Sequence, residues 1–249
     1  MNKKYYPFFV PLLIILIWLL FSYFEIFSPI FIPSPQEIKT QLVEYVHDGD
    51  LIKDIYSTFY RLFFSFVIAI IIGTPIGLLM GYSEKTFRLL NSTIDFFRSI
   101  PVTALFPLFL LFFGIGDEAK ISAAAWSAML IIMINTMHGV QHVKIIRLKV
   151  AETMRLTKTQ VMTKVIFHES LSQIITGYRT ALSISLVIVV VTEMFIGTKY
   201  GLGHRIINAQ LTYRISDMYL SILTTGILGY ILNKILLLFE KRIIHWKGK

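Results

Sequence analysis

Side chains that could do chemistry are few in this sequence, and they are widely separated. His138 and His142 stand four residues apart, a spacing that would let both imidazoles face one metal ion on a helix. No third ligand stands near this pair, so we expect no metal site. The chain has no cysteine, which excludes disulfides and thiolate ligands. No nucleophile stands beside a base, and we therefore expect no catalytic residue.

Three charged residues interrupt or border apolar runs, where a charge is costly and often functional. Glu193 lies about three residues before the end of one run. It is a candidate pathway residue, with the alternative that it pairs with a backbone group or an arginine and holds the subunits together. Arg98 precedes Pro101 at the start of another run and is the second candidate for a pathway or interface role. Arg179 is expected to extend its charge towards lipid headgroups.

The composition indicates that membrane-spanning helices position these residues. Of 249 residues, 55% are hydrophobic and 16% are charged, whereas about a quarter of the residues are charged in soluble domains. The mean hydropathy is +0.67. Apolar runs long enough to cross a bilayer predict an all-α integral membrane protein with about six transmembrane helices. The predicted spans are 8–24, 62–80, 102–116, 121–137, 174–196 and 218–239.

Interruptions inside two of these spans predict local features. Gly73, Pro75 and Gly77 in the second span allow bending or close helix packing. The third span is short and contains Pro107, so we expect it to be tilted or partly re-entrant. Between the first two spans, Pro33 and Pro35 end the first element. A short amphipathic helix at the outer surface should follow, with its apolar residues at Ile38, Leu42, Tyr45 and Val46, and another helix should begin near Asp50.

The formal net charge of +9 is unevenly distributed, which predicts the orientation of the chain. Basic residues concentrate on one side of the membrane, and cytoplasmic loops of membrane proteins carry this excess. We therefore expect both termini in the cytoplasm of a plasma-membrane protein, and we expect no nucleic-acid partner. The basic side receives Lys3, Lys4, Lys85, Arg88, Arg98, Lys144, Arg147, Lys149, Arg155, Lys158, Lys164, Lys241, Arg242, Lys247 and Lys249.

A polar, basic segment at 149–168 separates two of the apolar runs on the predicted cytoplasmic side. Thr157 and Gln160 fit a capping box, which predicts that a helix starts near Thr157 after another helix ends near Met154 or Arg155. Val150, Ala151 and Met154 would form an apolar stripe on the first helix. The segment is either a solvated connector or a helix that docks into a groove on another protein. The candidate docking residues are Val150, Ala151, Met154, Arg155, Leu156, Thr157 and Lys158.

At this segment the sequence resembles the inner-membrane permeases of ATP-binding-cassette importers, in particular the nitrate/sulfonate/taurine group. The family's Glu-Ala-Ala falls on 149–151, its glycine on Arg155 and its final proline on His168. Arg155 in place of glycine removes easy access to a left-handed helix terminus, at a cost of about 1 kcal/mol. The resemblance extends over essentially the whole chain in the same order, through "IPSPQEI", "GTPIG", "FRSIPVTALFPLFLLFFGIG" and the fifth-span stretch that contains Glu193 and "GLG".

The resemblance implies a type I importer fold in which two permease subunits, as a homodimer, form the pathway. ATPase subunits that bind ATP-Mg would attach below, and an extracytoplasmic binding protein would deliver the solute. Residues 150–158 would be the coupling helix seated in the ATPase. The chain would divide into a first helix with its outer amphipathic segment (1–53), a permease core (54–239) and a basic tail (240–249). The substrate would be a small anion such as nitrate, a sulfonate or taurine, or a small heterocycle.

The sequence agrees with a division of labour in which ATP binds to a separate subunit. The chain has no GxxxxGK[ST] pattern, the loop that cradles ATP phosphates in many ATPases. A self-sufficient secondary transporter is the alternative function, and it would need coupling-ion sites near the midplane and usually repeated halves. We find Glu193 as the acid well inside a span and no similarity between the halves. A membrane-embedded enzyme is a third possibility, disfavoured by the missing catalytic cluster.

Overall fold

The computed structural model describes residues 6–24, 28 and 31–244. Over these residues the regular structure is helical throughout. The helices are α1 (Tyr6–Tyr23), α2 (Pro35–Asp48), α3 (Asp50–Tyr82), α4 (Glu84–Ser99), α5 (Phe106–Phe113), α6 (Asp117–Gln141), α7 (Ile145–Thr153), α8 (Lys158–Gln160), α9 (Phe167–Phe195), α10 (Leu202–Leu211) and α11 (Ile215–Ile243). A 3₁₀ turn at Val102–Leu105 precedes α5, and a π-helical stretch at Val161–Ile166 joins α8 to α9 in one helix from Lys158 to Phe195.

Three helices, α3, α6 and α9, form the centre of the protein. Alanines and branched aliphatic residues fill the space between them, because α6 carries few large side chains along its buried side. Ala69 of α3, Ala128 and Ile132 of α6 and Ala181 of α9 form one of the core clusters. Short side chains at these positions let the three helices approach closely, as is common in membrane proteins.

The close contact between α3 and α6 depends on glycines spaced four residues apart on α3. A Cβ atom at Gly73 would lie 2.9 Å from the carbonyl oxygen of Met129. At Gly77 it would lie 2.5 Å from the carbonyl oxygen of Met133 and 2.7 Å from Cβ of Thr136. The two helices run parallel, since each four-residue step along α3 meets the next turn of α6. The expectation of close packing at Gly73 and Gly77 is therefore confirmed.

A sharp bend lies just before the third predicted span, 102–116. Helix α4 and the pair formed by the 3₁₀ turn and α5 meet at an angle of 89° around Ile100 and Pro101. Helix α4 packs through Ile94 against Met80 of α3 and Leu130 of α6. It therefore climbs along the inner half of these helices before the chain turns, and the expectation of a tilted or partly re-entrant segment agrees with this bend.

Within the described residues, fewer membrane-length helices are present than the six predicted spans. Four helices are long and apolar enough to cross a membrane, and the bent α4–α5 pair raises the number to five within the described part of the chain. The helix at the first predicted span is shorter, with its apolar part at Phe9–Tyr23. The other helices extend beyond the apolar runs, as α3 does by beginning at Asp50. Lys3, Lys4, Lys247 and Lys249 lie outside the described residues.

The predicted helix between the first two spans forms as α2, although Leu42 and Val46 of its predicted apolar stripe are exposed. Ser34 caps α2 with a capping box, in which its hydroxyl accepts from the Glu37 amide and the Glu37 carboxylate accepts from the Ser34 amide. Ile38 and Tyr45 are buried against Leu51 and Leu220, which attaches α2 to α3 and α11. Gly49, with a φ of 73°, makes the left-handed turn into α3.

We predict that Gly77→Ala lowers the thermal stability of the chain, because the added methyl group would force α3 and α6 apart. Overpacking of this kind costs about 1–3 kcal/mol. The measurement is the midpoint of thermal unfolding of the full chain in detergent. Gly226→Ala on α11 is the matched control, since no atom lies within 4 Å of a Cβ there. Equal midpoints for the two variants would contradict the close contact.

Candidate functional site

Helix α7 ends in a turn that is usually made by glycine but is made here by Arg155. The Leu156 amide donates to the Ala151 carbonyl at 3.1 Å, and the Arg155 amide donates to the Glu152 carbonyl at 2.9 Å. This pair of bonds is the Schellman motif, in which the residue after the C-cap adopts left-handed backbone angles. Arg155 does so, with a φ of 52°. Arg155 thus adopts the left-handed backbone conformation that suits glycine, and it does so at a conformational cost.

The next helix starts at the predicted capping box. The Gln160 amide donates to the Thr157 hydroxyl at 3.3 Å, and the Thr157 amide donates to the Gln160 side-chain oxygen at 2.9 Å. The helix then widens into the π-helical stretch. His168, which aligns with the family's proline, donates from Nδ1 to the Thr163 carbonyl at 2.9 Å. Residues 150–158 therefore form a compact helix–turn–helix.

The members of the predicted apolar stripe on α7 have different environments. Ala151 is 2% exposed, whereas Val150 is 51% exposed and Met154 66% exposed. All three line a groove of about 310 Å³ beside Leu156 and Val165. Ala151 thus fixes α7 to the chain, and Val150 and Met154 leave apolar surface uncovered.

An ion pair that the sequence did not indicate also holds this segment. Arg147 of α7 pairs with Glu169 at the start of α9. The partners are 22 positions apart, so no helical spacing connects them. Together with Ala151, this pair makes α7 part of the same body as the inner end of α9.

We predict that Arg155→Gly strengthens the turn after α7, since glycine adopts the left-handed conformation without the steric cost of about 1 kcal/mol. Hydrogen–deuterium exchange over 150–158 should slow about fivefold, the equivalent of that energy. The control is Tyr213→Gly, which relieves a similar left-handed turn (φ 56°) after α10 and should leave 150–158 unchanged. Faster exchange over 150–158 in Arg155→Gly would contradict the claim that Arg155 strains the turn after α7.

At the opposite end of the protein, Glu193 lies in a buried network of charged and polar groups. Its carboxylate accepts from the Arg61 guanidinium at 2.6 Å and from the Thr58 hydroxyl at 2.9 Å. It also accepts from the Gly203 amide at 2.9 Å, at the start of α10. Glu193 is only 1% exposed. In this chain Glu193 therefore pairs with an arginine and a backbone amide of the same subunit.

Arg61 connects this network to three other segments. Its Nε donates to Asp117 of α6 at 2.8 Å, and its two terminal nitrogens donate to the Tyr200 carbonyl and the Thr198 hydroxyl at 2.9 Å. Gly201 has a φ of 150°, and a Cβ there would lie 2.6 Å from the Glu193 carboxyl carbon. The "GLG" motif thus lets the backbone pass close to the ion pair.

A second layer of charges surrounds a polar cavity of about 130 Å³ between α2, α3, α10 and α11. Asp54 accepts from the Gly201 amide at 2.8 Å and pairs with Arg205 at 3.0 Å. The Arg205 guanidinium lies 3.6 Å from the centre of the Tyr45 ring. Burial, followed by a hydrogen bond to Asp217, raises the pKa of Tyr45 well above its usual range, so the phenol stays protonated at physiological pH.

None of the arginines that form ion pairs at this end was predicted for the basic side: they are Arg61, Arg205 and Arg214. Their partners include Asp54 and Asp117. The sequence did not indicate their network, because Arg61 and Glu193 are 132 positions apart. The available signal was a weak one: Asp54 and Arg61 occupy the same side of a helix just before it becomes continuously apolar.

We predict that Glu193→Ala destabilises the chain by about 3–5 kcal/mol, the usual cost of leaving one partner of a buried ion pair unpaired. The measurement is again the thermal midpoint of the full chain. Glu84→Ala removes an exposed partner of Arg88 and should change little, because exposed ion pairs add little stability. Equal unfolding temperatures for the two variants would show that the ion network around Glu193 does not stabilise the chain.

Arg98 lies deeper than the charge distribution predicted. The expectation placed it at the basic surface, but the bend after α4 brings it beside Trp126, Ser127 and Leu130, near the middle of α6. Ser127 is ten residues from Asp117 and α6 rises 1.5 Å per residue, so this level is roughly 15 Å from that end of α6. The Arg98 side chain is 51% exposed and pairs with Asp95 at 3.3 Å.

Polar side chains continue from Arg98 towards the basic end on the uncovered sides of α6 and α9. Gln173 donates to Asn135 at 3.3 Å, which joins the two helices. Thr176, Thr180 and Ser183 follow at helical spacing on the exposed side of α9. Below them lies a cleft of about 440 Å³ lined by His138, Gly139, His142, Glu169, Ser172 and Gln173. A polar face thus runs along α6 and α9, defined here by Ser127, Asn135, Gln173, Thr176, Thr180 and Ser183.

The remaining candidates are the pair of histidines, His138 and His142, and Arg179. His142 Nδ1 contacts the His138 carbonyl at 2.7 Å, and the ring centres are 6.3 Å apart. Among the described residues, no group of three histidine, cysteine or acidic side chains could hold a metal ion. Arg179 does not reach for headgroups: it donates to Asn233 at 3.0 Å and pairs with Glu240 at 3.3 Å, both on α11.

A known protein family matches most of this chain. The family model described as binding-protein-dependent transport system inner membrane component matches residues 73–246. This chain belongs to that family. It is therefore a membrane-embedded permease component of an ABC importer, a transporter subunit and not an enzyme.

Proteins named as transport permeases match almost the whole chain. The putative aliphatic sulfonates transport permease protein of Bacillus subtilis is 28% identical over 96% of this permease and 86% of its own length. The taurine transport system permease protein of Escherichia coli is 25% identical over 94% and 86%. The bicarbonate transport system permease protein of Synechococcus elongatus is 26% identical over 86% and 81%.

Solved structures show the same fold at lower sequence identity. The permease matches a chain of an inward-facing MetNI methionine ABC transporter with a TM-score of 0.70 and 19% identity, over 78% of this permease and 95% of that chain. A chain of an amino acid ABC transporter matches with a TM-score of 0.64 and 21% identity, over 82% and 97%. The expected type I permease fold is thus confirmed, and ATPase and binding-protein partners follow from the family.

Proposed function

We propose that two copies of this permease form a pathway that imports a small anion, and that ATP-Mg bound to separate ATPase subunits drives it. Relatives named for sulfonates, taurine and bicarbonate support an anionic substrate, and a small heterocycle is the second class. The observation that carries the proposal is the uncovered helix–turn–helix at 150–158, which is fixed to the inner end of α9 and has apolar surface available to a partner.

The exposure pattern supports different roles for the coupling residues. Val150 and Met154 would offer apolar contacts to the ATPase, and the exposed Arg155 and Lys158 would add positive charge nearby. Ala151 and Leu156 form the base of the groove and keep α7 in place. A force on α7 would reach α9 through the Arg147–Glu169 pair. The domain division into 1–53, 54–239 and 240–249 keeps this segment inside the permease core.

The two ends of the molecule support the proposed orientation, with both termini in the cytoplasm. The basic segment 144–164 lies at one end of the central helices, and the ion network around Glu193 lies at the other. Because basic loops remain in the cytoplasm, the network end would face outwards and meet the binding protein. The second copy would cover the polar face of α6 and α9 and enclose the pathway between the two subunits.

The coupling assignment predicts that Met154→Asp lowers ATPase binding by about tenfold or more, since a carboxylate would replace an exposed apolar contact. The measurement is co-purification of the ATPase with the tagged permease, together with ATP-driven uptake of labelled taurine and bicarbonate into vesicles containing permease, ATPase and binding protein. Both should fall in Met154→Asp, while the thermal midpoint of the permease is unchanged.

Ile115→Asp is the matched control, because Ile115 is also exposed but lies at the opposite end, before Asp117. It should co-purify with the ATPase as the unaltered permease does. Normal ATPase binding by Met154→Asp would remove 150–158 from the coupling site. Uphill uptake by the permease alone would instead indicate a self-sufficient secondary transporter.

A further inference from the structure

Arg98 is a charged side chain at mid-depth that is not enclosed by its own chain. Its cavity, of about 270 Å³, includes residues of α6 and also Ile184 and Ile188 of α9. Ile188 is seven residues before Phe195, so the cavity lies roughly 10 Å from that end of α9. A guanidinium at such a depth cannot face hydrocarbon without a large cost in free energy. This part of the surface is therefore adjacent to water or to another polar surface.

The ion pair between Arg98 and Asp95 uses little of the hydrogen-bonding capacity of the guanidinium. Asp95 accepts from Nη1 of Arg98 at 3.3 Å and also from Nδ2 of Asn91 at 3.1 Å, and all three residues lie on α4. The side chains of Arg98 and Asp95 are about half exposed. An exposed ion pair of this kind is worth little, so an incoming anion can compete with Asp95 for the guanidinium. The guanidinium has five N–H donors.

We propose that Arg98 is the anion-binding residue of the pathway and that Asp95 is the internal counter-ion that the passing anion displaces. This inference rests on the proposed function, in which the polar face borders the pathway. An oxyanion fits the site, because a guanidinium binds two oxygens of a planar or tetrahedral anion side by side. The cavity that Arg98 lines has room for a few heavy atoms beside Ser127.

The groups below Arg98 suit passage better than retention. On the described part of the polar face, from Ser127 to Ser183, the named side chains are neutral amides and hydroxyls. Such groups can hydrogen-bond an anion without binding it tightly. Transport requires a solute to bind strongly enough to enter and weakly enough to leave. Competition from Asp95 has the same effect at Arg98, since it lowers the affinity of the strongest site.

Trp126 gives a direct test, because it lines the same cavity and its ring lies 5.1 Å from that of Phe97. The chain has three tryptophans, and Trp18→Phe with Trp246→Phe leaves Trp126 as the single fluorophore of the full chain in lipid nanodiscs. Iodide is the anionic quencher and acrylamide the neutral one. Arg98→Gln should lower the iodide quenching constant about threefold, the effect of losing one charge a few ångströms away in water.

The acrylamide constant should be the same in all variants, which shows that access to Trp126 is unchanged. Arg98→Lys should retain most of the preference for iodide, and Asp95→Asn should increase it. Ethanesulfonate should reduce iodide quenching in the unaltered chain and not in Arg98→Gln. Equal iodide constants in the unaltered chain and Arg98→Gln would overturn the proposal, as would a Trp126 that neither quencher reaches.

These outcomes are separable from those of the uptake experiment. Loss of iodide preference in Arg98→Gln would support the anion site even if the vesicles failed to import taurine or bicarbonate. Conversely, ATP-driven uptake of either solute with an iodide constant independent of Arg98 would keep the proposed function and remove Arg98 from the pathway.

Discussion

The ion pair between Arg61 and Glu193 constrains the rest of the structure, because both charges are almost completely removed from water. Desolvation on this scale is tolerated only when every remaining donor and acceptor is paired. The chain meets this requirement with groups from α3, α6, α9 and α10 and from the loop at 198–201. These elements cannot separate at this end without breaking several buried bonds at once. The network end is therefore the rigid end of the molecule.

The opposite end is held in a different way. Helix α7 is attached through the buried Ala151, the partly buried Leu148, the Arg147–Glu169 ion pair and a turn in which Arg155 keeps a left-handed conformation. The adjoining stretch Val161–Ile166 has π-helical bonding, which is weaker and less regular than α-helical bonding. A displacement of α7 thus acts on the start of a helix whose far end is anchored by Glu193. Rotation of this helix about its fixed end would move the polar face at mid-depth.

The features that the sequence predicted correctly are those set by neighbours along the chain. Thr157 forms the predicted capping box because Gln160 stands three residues away, and Gly73 and Gly77 recur on one side of a helix. Partners distant in sequence could not be predicted, as the Arg61–Glu193 and Arg147–Glu169 pairs show. The predicted depth of Arg98 was wrong for a related reason. A charge count along the chain assumes that helices begin and end at the surface, and the 89° bend after α4 removes that assumption.

The polar side chains of α9 do not by themselves require an aqueous neighbour. Thr176, Thr180 and Ser183 each donate to the carbonyl four residues earlier, so their hydroxyl donors are already satisfied inside the helix. Lipid could cover such groups at small cost. Arg98 differs, because one carboxylate cannot satisfy a guanidinium and no rotation hides its charge from a lipid-facing surface. The requirement that this face meets water or a second subunit therefore comes from Arg98, and the neutral stripe below it only determines how weakly an anion is held on its way.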